Sequence, residues 1–269
     1  MKIKSFPLQH FDEIVPVLMR CFPDFWQERL GRNERSFPYE LELFTAETET
    51  QTIGTVGIHG YDFYCCDDKG EYFPVRTGSL SDVGVVPEMR SCGYAAAMQK
   101  FVIDLLQHDP GKMPMIPLYT DKPPVYMRQG WQEYLPDNSR EIRTSDFTGK
   151  KDKIKPDLQQ VMDIYFAGNT FPGKVIRKKK TFLELISDPT KSWRIEDNTY
   201  FLYAGERLIE AYSTDPNHRV NLFTPVNGGH DDNKVMINLI NTTTQSPEWQ
   251  ALQNHIHNRT LQFPIADVF

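Results

Sequence analysis

The chain is short of cysteine, of long apolar runs and of positive charge, and each shortage removes a class of protein. Four cysteines stand among 269 residues, at Cys21, Cys65, Cys66 and Cys92; the adjacent pair suits neither a zinc knuckle nor a disulfide framework. Charges interrupt every apolar stretch well before the roughly 18 residues that a membrane helix needs. The opening Met1-Lys2-Ile3-Lys4-Ser5-Phe6-Pro7 lacks the apolar centre of a signal peptide. A cytoplasmic protein with no membrane partner is the expectation. With 36 acidic against 30 basic residues, the net charge of -6 argues against nucleic acid as a partner and mildly favours a cationic small substrate. There is no low-complexity tract and no short-period repeat.

What remains is a globular composition, 39% hydrophobic and 12% aromatic, on a chain long enough for two medium cores. Phe11, Ile14, Val15, Val17, Leu18 and Phe22 recur on one helical face that stops near Pro23, followed by the aromatic segment from Phe25 to Leu30. Strands are expected from Leu41 to Ala46, Thr52 to Ile58, Tyr61 to Cys65 and Leu80 to Val86. Met98, Phe101, Val102, Leu105 and Leu106 then mark a helix stopped by Asp109-Pro110-Gly111, and Met115 to Tyr119 reads as a strand. That strand, helix, strand order predicts a parallel crossover in a mixed sheet.

The polar stretch from Asp137 to Pro156, with Lys150, Lys151, Lys153 and Lys155, is the linker candidate. It divides the chain into residues 1–149 and 150–269. Beyond it, helices are expected over Leu158 to Ala167 and Lys180 to Ile186. Strands follow at Tyr200 to Ala204, Leu208 to Ser213 and Val235 to Asn241, and a helix closes the chain from Pro247 to Asn258.

The chemistry is concentrated in Val83-Gly84-Val85-Val86-Pro87-Glu88-Met89-Arg90-Ser91-Cys92-Gly93-Tyr94-Ala95. Arg90-x-x-Gly93-x-Ala95 lies between a strand and the start of a helix, where backbone N–H groups lack partners and the helix dipole adds partial positive charge. Such a turn suits pyrophosphate. Gly93 lets the backbone approach phosphate oxygens, Ala95 keeps the first turn open, and Arg90 is placed to add a charge-assisted contact.

These residues resemble the coenzyme-binding motif of the GCN5-related N-acetyltransferase (GNAT) superfamily. The segment Val125-Tyr126-Met127-Arg128-Gln129-Gly130-Trp131 is similar to that family's later motif, in the right order along the chain. The resemblance implies an α/β (α+β) fold: a mixed, mostly antiparallel GNAT-like sheet flanked by helices, with a second, smaller GNAT-like α/β unit behind it. It also implies acetyl-CoA as cosubstrate, bound at Val83, Val85, Val86, Arg90, Ser91, Cys92, Gly93, Tyr94 and Ala95, and a primary amine of a small molecule or peptide as acceptor. In this reading Val83 and Val85 lie on a strand splayed from its neighbour, and a backbone N–H there polarises the thioester carbonyl. Tyr126 is the implied general acid toward the departing thiolate.

Within the superfamily, Leu118-Tyr119-x6-Tyr126-x3-Gly130 and Phe171-Pro172-Gly173-Lys174-Val175-Ile176-Arg177 resemble the enhanced-intracellular-survival group, which places a second acetyltransferase-like domain behind the first. A non-catalytic acyl-CoA-binding sensor with a degenerate acceptor site is the alternative, and self-association is left open.

The general base is unassigned. Asp82 and Glu88 flank the motif strand, Glu40 and Glu42 approach from the acceptor side, and the terminal carboxylate of Phe269 is a further option. Phe25, Trp26 and Tyr39 occupy the region that lines the family's acceptor site, with ordinary core packing equally open for each. Cys92 reads as a passive loop residue, with no His beside it in sequence. His255 and His257, two apart on a helix, face different ways and make a poor metal pair. Asp231 and Asp232 lack calcium-loop spacing. Arg177-Lys178-Lys179-Lys180 reads as a solvated helix start.

Overall fold

In the computed structural model, the described residues are 1–31, 40–108, 113–134, 155–168, 170–196, 198–205, 207–214, 234–240 and 246–261. Tyr39, the stop at 109–111, most of the 137–156 linker, Asp231, Asp232 and Phe269 lie outside them.

The chain opens with strand β1 (Lys2–Phe6), helix α1 (Phe11–Cys21) and helix α2 (Pro23–Gly31). Three antiparallel strands follow: β2 (Glu40–Glu47), β3 (Thr52–Cys66) and β4 (Tyr72–Val85), giving a first sheet in the order β1-β2-β3-β4. Helix α3 (Tyr94–Gln107), strand β5 (Met115–Thr120), the short helix α4 (Pro123–Met127) and β6 (Gln132–Glu133) complete the first half.

Two expected strands, 52–58 and 61–65, are one. Gly60, between the two expected strands, looks like a turn signal, but it lies inside β3 as Gly57 does; a Cβ would come within 2.8 Å of the Ser81 hydroxyl oxygen at Gly57 and would overlap the Arg76 guanidinium at Gly60. They mark close packing of β3 on β4. The expected strand at Leu80 likewise begins earlier, at Tyr72.

The second half supplies α5 (Leu158–Ala167), α6 (Lys179–Ser187), β7 (Lys191–Glu196), β8 (Thr199–Ala204) and β9 (Arg207–Ser213), the strands forming an antiparallel sheet in that order. Asp157 caps α5, its carboxylate accepting from the Gln160 N–H at 2.9 Å. Val161, Tyr165, Phe182, Trp193, Tyr200 and Leu202 share one core between these helices and this sheet.

The final elements return to the first half. Strand β10 (Lys234–Leu239) lies between β5 and β6, with Ile237 opposite both Pro117 and Gln132, so the second sheet runs β5-β10-β6. Helix α7 (Pro247–His257) packs on β3, and its Trp249 and Leu252 join Phe63, Val75, Met115 and Ile237 in a core. Both elements come from beyond residue 150, the boundary expected from sequence.

Among the described residues all strand ladders are antiparallel, and β4 and β5 belong to separate sheets. The expected parallel pairing of these two strands is therefore absent among the described residues. Near one end they are joined by the Thr77 hydroxyl, which donates to the Met115 carbonyl at 2.6 Å. Toward the other end β4 carries a bulge: Ser81 pairs with Gly57 and Gly84 with Thr55, so Asp82 and Val83 face the single Val56. Asp82 takes φ of +48°, a region that Asp tolerates better than most residues, and its carbonyl accepts from the Thr55 hydroxyl at 2.8 Å. The result is a mixed α/β fold of antiparallel sheets flanked by helices, with a cleft between β4 and β5.

Candidate active site

A cavity of about 380 Å³ occupies this cleft. One wall is Leu80, Ser81, Asp82 and Val83 at the bulge, and the facing wall is Tyr119, Thr120, Asp121 and Lys122 at the end of β5. Ala95 and Gln99 of α3 and Val125 and Tyr126 of α4 also line it, while Phe22, Phe25, Trp26, Arg29 and His59 enclose the remainder.

The nine residues expected to hold a coenzyme form one continuous strand, turn and helix, but they do different things. Val83 and Ala95 line the cavity. Val85 and Val86 are buried in the main core, and the Val86 N–H is taken by the Ile53 carbonyl at 2.9 Å. Arg90 departs from expectation: its Nε donates to the Val85 carbonyl at 3.0 Å and its Nη2 to the Cys21 carbonyl at 3.2 Å. It staples the turn to the end of α1, and its role in this structure is to hold the loop's shape. Gly84 permits that contact, since a Cβ there would come within 2.7 Å of Cys21.

Ser91 takes φ of +63° and Gly93 takes +80°, so the turn before Tyr94 is left-handed at two positions. A Cβ on Gly93 would meet nothing within 4 Å, which leaves open space directly above the first turn of α3. A pyrophosphate fits the donor chemistry of this place: unpartnered N–H groups at a helix start, no side chain in the way, and an open approach. Cys92 is exposed, its thiol 3.5 Å from the Arg90 carbonyl, and it does not line the cavity.

Tyr126 lies across the cleft from the bulge. Its ring meets Trp131 edge to face at 6.0 Å. Burial raises its phenol above the ordinary range, partly countered by a hydrogen bond with the Thr120 side chain. A tyrosine in this state is protonated at neutral pH, as an acid must be.

Of the four carboxylate side chains named from sequence, only Asp82 lines the cavity. Burial raises its pKa, with the Ser81 hydroxyl 3.1 Å away, Arg29 and Trp26 acting in the opposite direction. Glu40 is instead held below the carboxylate range by Lys178 and Arg76, the two cations it binds at 2.7 and 2.6 Å. Glu88 pairs with Arg20 on the surface, and Glu42 is exposed. His59, on β3, is buried and its pKa is pushed down to about 4, first by burial and then by the Arg29 charge.

The basic run is also different from its sequence reading. Arg177 is buried against Glu210, Lys178 meets Glu40, and Lys180 approaches Glu184 at 3.7 Å. The run begins in an interior because residues 173–176 pair with β3: Tyr64 N–H donates to the Lys174 carbonyl at 2.9 Å and Ile176 N–H to the Asp62 carbonyl at 2.7 Å. Sequence reading missed Gln99 and His59 at the site. A polar residue in the apolar stripe of α3 is the signal that was available for the first.

Residues 11–129 match the Acetyltransferase (GNAT) family. That stretch is less than half of the chain. Among solved structures, a GCN5-related N-acetyltransferase from Kribbella flavida is similar at a TM-score of 0.52 and 13% identity, over 88% of this chain and 70% of that one. A probable N-acyltransferase of unknown function from Enterococcus faecalis V583 is similar at 0.50 and 16% identity, over 78% of this chain and 53% of that one. Eis1 from Mycobacterium abscessus gives 0.48 at 15% identity, again over only 53% of that chain. No curated protein matches. The shared property at these identities is the fold. Among the described residues no helix is long and apolar enough to cross a membrane.

Proposed function

We propose that the chain is an acetyl-CoA-dependent N-acyltransferase acting on a primary amine of a small molecule or peptide, within the tandem-domain group that the Phe171–Arg177 segment resembles. The observation that carries this reading is the cleft between β4 and β5, lined by Asp82 and Tyr126 and by Ala95, two residues after the open Gly93 turn. Bound acetyl-CoA supplies the thioester. Asp82 takes the proton from the attacking amine, either directly or through one water, since burial makes its carboxylate a stronger base than an exposed one. Backbone N–H groups at the bulge polarise the carbonyl, and Tyr126 Oη gives its proton to the departing sulfur. Phe22, Phe25 and Trp26 form the apolar side of the acceptor space.

Calorimetry with coenzyme A and a free-thiol release assay across an amine panel test this reading. Micromolar to millimolar binding with thiol release from at least one amine is expected. Absence of binding at millimolar coenzyme sinks the reading, and binding without release from any amine gives preference to a sensor.

A further inference from the structure

Helix α3 sends Met98, Val102 and Leu106 into the core, and Gln99 is the one polar residue on its buried side. Its side chain is 0% exposed, and neither the Oε1 nor the Nε2 atom has a hydrogen-bond partner. Both atoms of a buried carboxamide are normally satisfied, because a lost partner leaves the full desolvation penalty in place. The position is not packed in an apolar interior. Gln99 lines the cleft between β4 and β5, together with Ala95 one turn earlier on the same helix.

We propose that Gln99 is a binding residue for the pantetheine arm of the cosubstrate, with its carboxamide completed by the arm's secondary amides. The proposal rests on the reading that coenzyme A occupies this cleft. Chemistry selects the arm over the phosphates and the thioester end. The orphan pair comprises one acceptor and one donor group, so the ligand must supply both kinds of partner. Phosphates and the acetyl carbonyl only accept, and a thiol donates weakly. Secondary amides offer a carbonyl for Nε2 and an N–H for Oε1. Distance agrees: Gln99 lies about 6 Å along the helix axis beyond Ala95, deeper into the cleft than the turn at Gly93, and an arm leaving phosphates at that turn reaches its amides after a short run of carbons.

The test uses the whole chain with Gln99→Leu, which keeps the volume and removes both polar atoms, and Gln99→Met as a second probe should the first fold poorly. Two ligands are measured by calorimetry: coenzyme A and adenosine 3′,5′-bisphosphate, which lacks the arm. Coenzyme A is expected to bind about tenfold more weakly to the variant, while the bisphosphate keeps its wild-type constant. The ligand-free variant should also melt at the same or a higher temperature than wild type, because an unsatisfied carboxamide has gone. A merely structural glutamine, or one satisfied by water, predicts the reverse pattern: lower melting temperature and unchanged coenzyme affinity. Unchanged coenzyme affinity in the variant, or an equal loss for both ligands, overturns the proposal alone. Failure of the wild type to bind coenzyme A overturns the site reading beneath it as well.

Discussion

Arg177 and Glu210 face each other as a fully buried, doubly hydrogen-bonded ion pair, and the Tyr200 hydroxyl also donates to the Glu210 carboxylate. Arg177 stacks over Tyr165 at 4.7 Å, and Lys174, three residues earlier, donates to the Tyr165 and Gly168 carbonyls. The segment from Phe171 to Arg177 is therefore anchored by two cations against Tyr165, Gly168 and Glu210, while Val175 of the same segment packs with Phe63 and Trp249.

Removing one member of such a pair leaves the other charge buried. Glu210→Gln should cost about 3–5 kcal/mol of stability. Urea denaturation followed by circular dichroism measures it, and a cost below about 1 kcal/mol would show that the pair is solvated in solution.

Tyr126→Phe should lower turnover by about 10²–10⁴-fold, the usual contribution of a positioned acid, with coenzyme affinity held within a factor of a few. Steady-state kinetics on whichever amine proves active, paired with calorimetry, separates the two effects. Equal turnover in the variant removes the tyrosine from the chemistry.

Asp82 gives two pH effects of known sign. Its folded pKa is raised, so its contribution to stability is full at low pH and is lost as pH rises through the folded value. Asp82→Asn should therefore match or exceed the wild type in stability at neutral pH. Activity has the opposite requirement, because the base must be ionised. The acid limb of kcat/KM is expected above the ordinary carboxylate range in the wild type and absent in Asp82→Asn.

His59 works the other way. Its pKa is depressed to about 4, while the unfolded chain takes up a proton near 6.5. The stabilising contribution is complete above the unfolded value and declines as pH falls toward the folded one, a loss of about 2 kcal/mol between pH 7 and pH 5. Denaturation at the two pH values, compared with His59→Gln, isolates this residue from the other titrating groups. An identical slope in the variant would place the proton elsewhere.

The sequence was most legible where a pattern was local. The stripe of α1, the limits of α5 and the strand ending at Val85 follow from periodicity, and the Gly93 turn follows from a glycine that lets the backbone approach phosphate at a helix start. The illegible parts depended on partners far along the chain. Gly60 signals a turn until β4 is known to lie against it. Lys2–Phe6 is too short to alternate, and it is a strand only because Phe44 and Leu43 stand opposite Ser5 and Phe6. Asp82 was one of several carboxylates until the bulge turned it into the cleft. Arg90 fits a phosphate-binding motif in sequence, yet the Val85 and Cys21 carbonyls claim it in space.

Strand β10 gives the chain a schedule as well as a shape. Synthesis delivers β5 to the ribosome exit long before β10, and domains ordinarily fold in the order in which they emerge. Here the strand that fills the position beside β5 arrives after the whole of the β7-β8-β9 sheet. During that interval β5 has an open edge and Met115, Ile116 and Leu118 lack the cover that Met236 and Ile237 later provide. The half that carries the cleft is thus the first to be made and among the last to be finished, and a nascent chain interrupted between the two strands leaves an adhesive sheet edge for chaperones to guard.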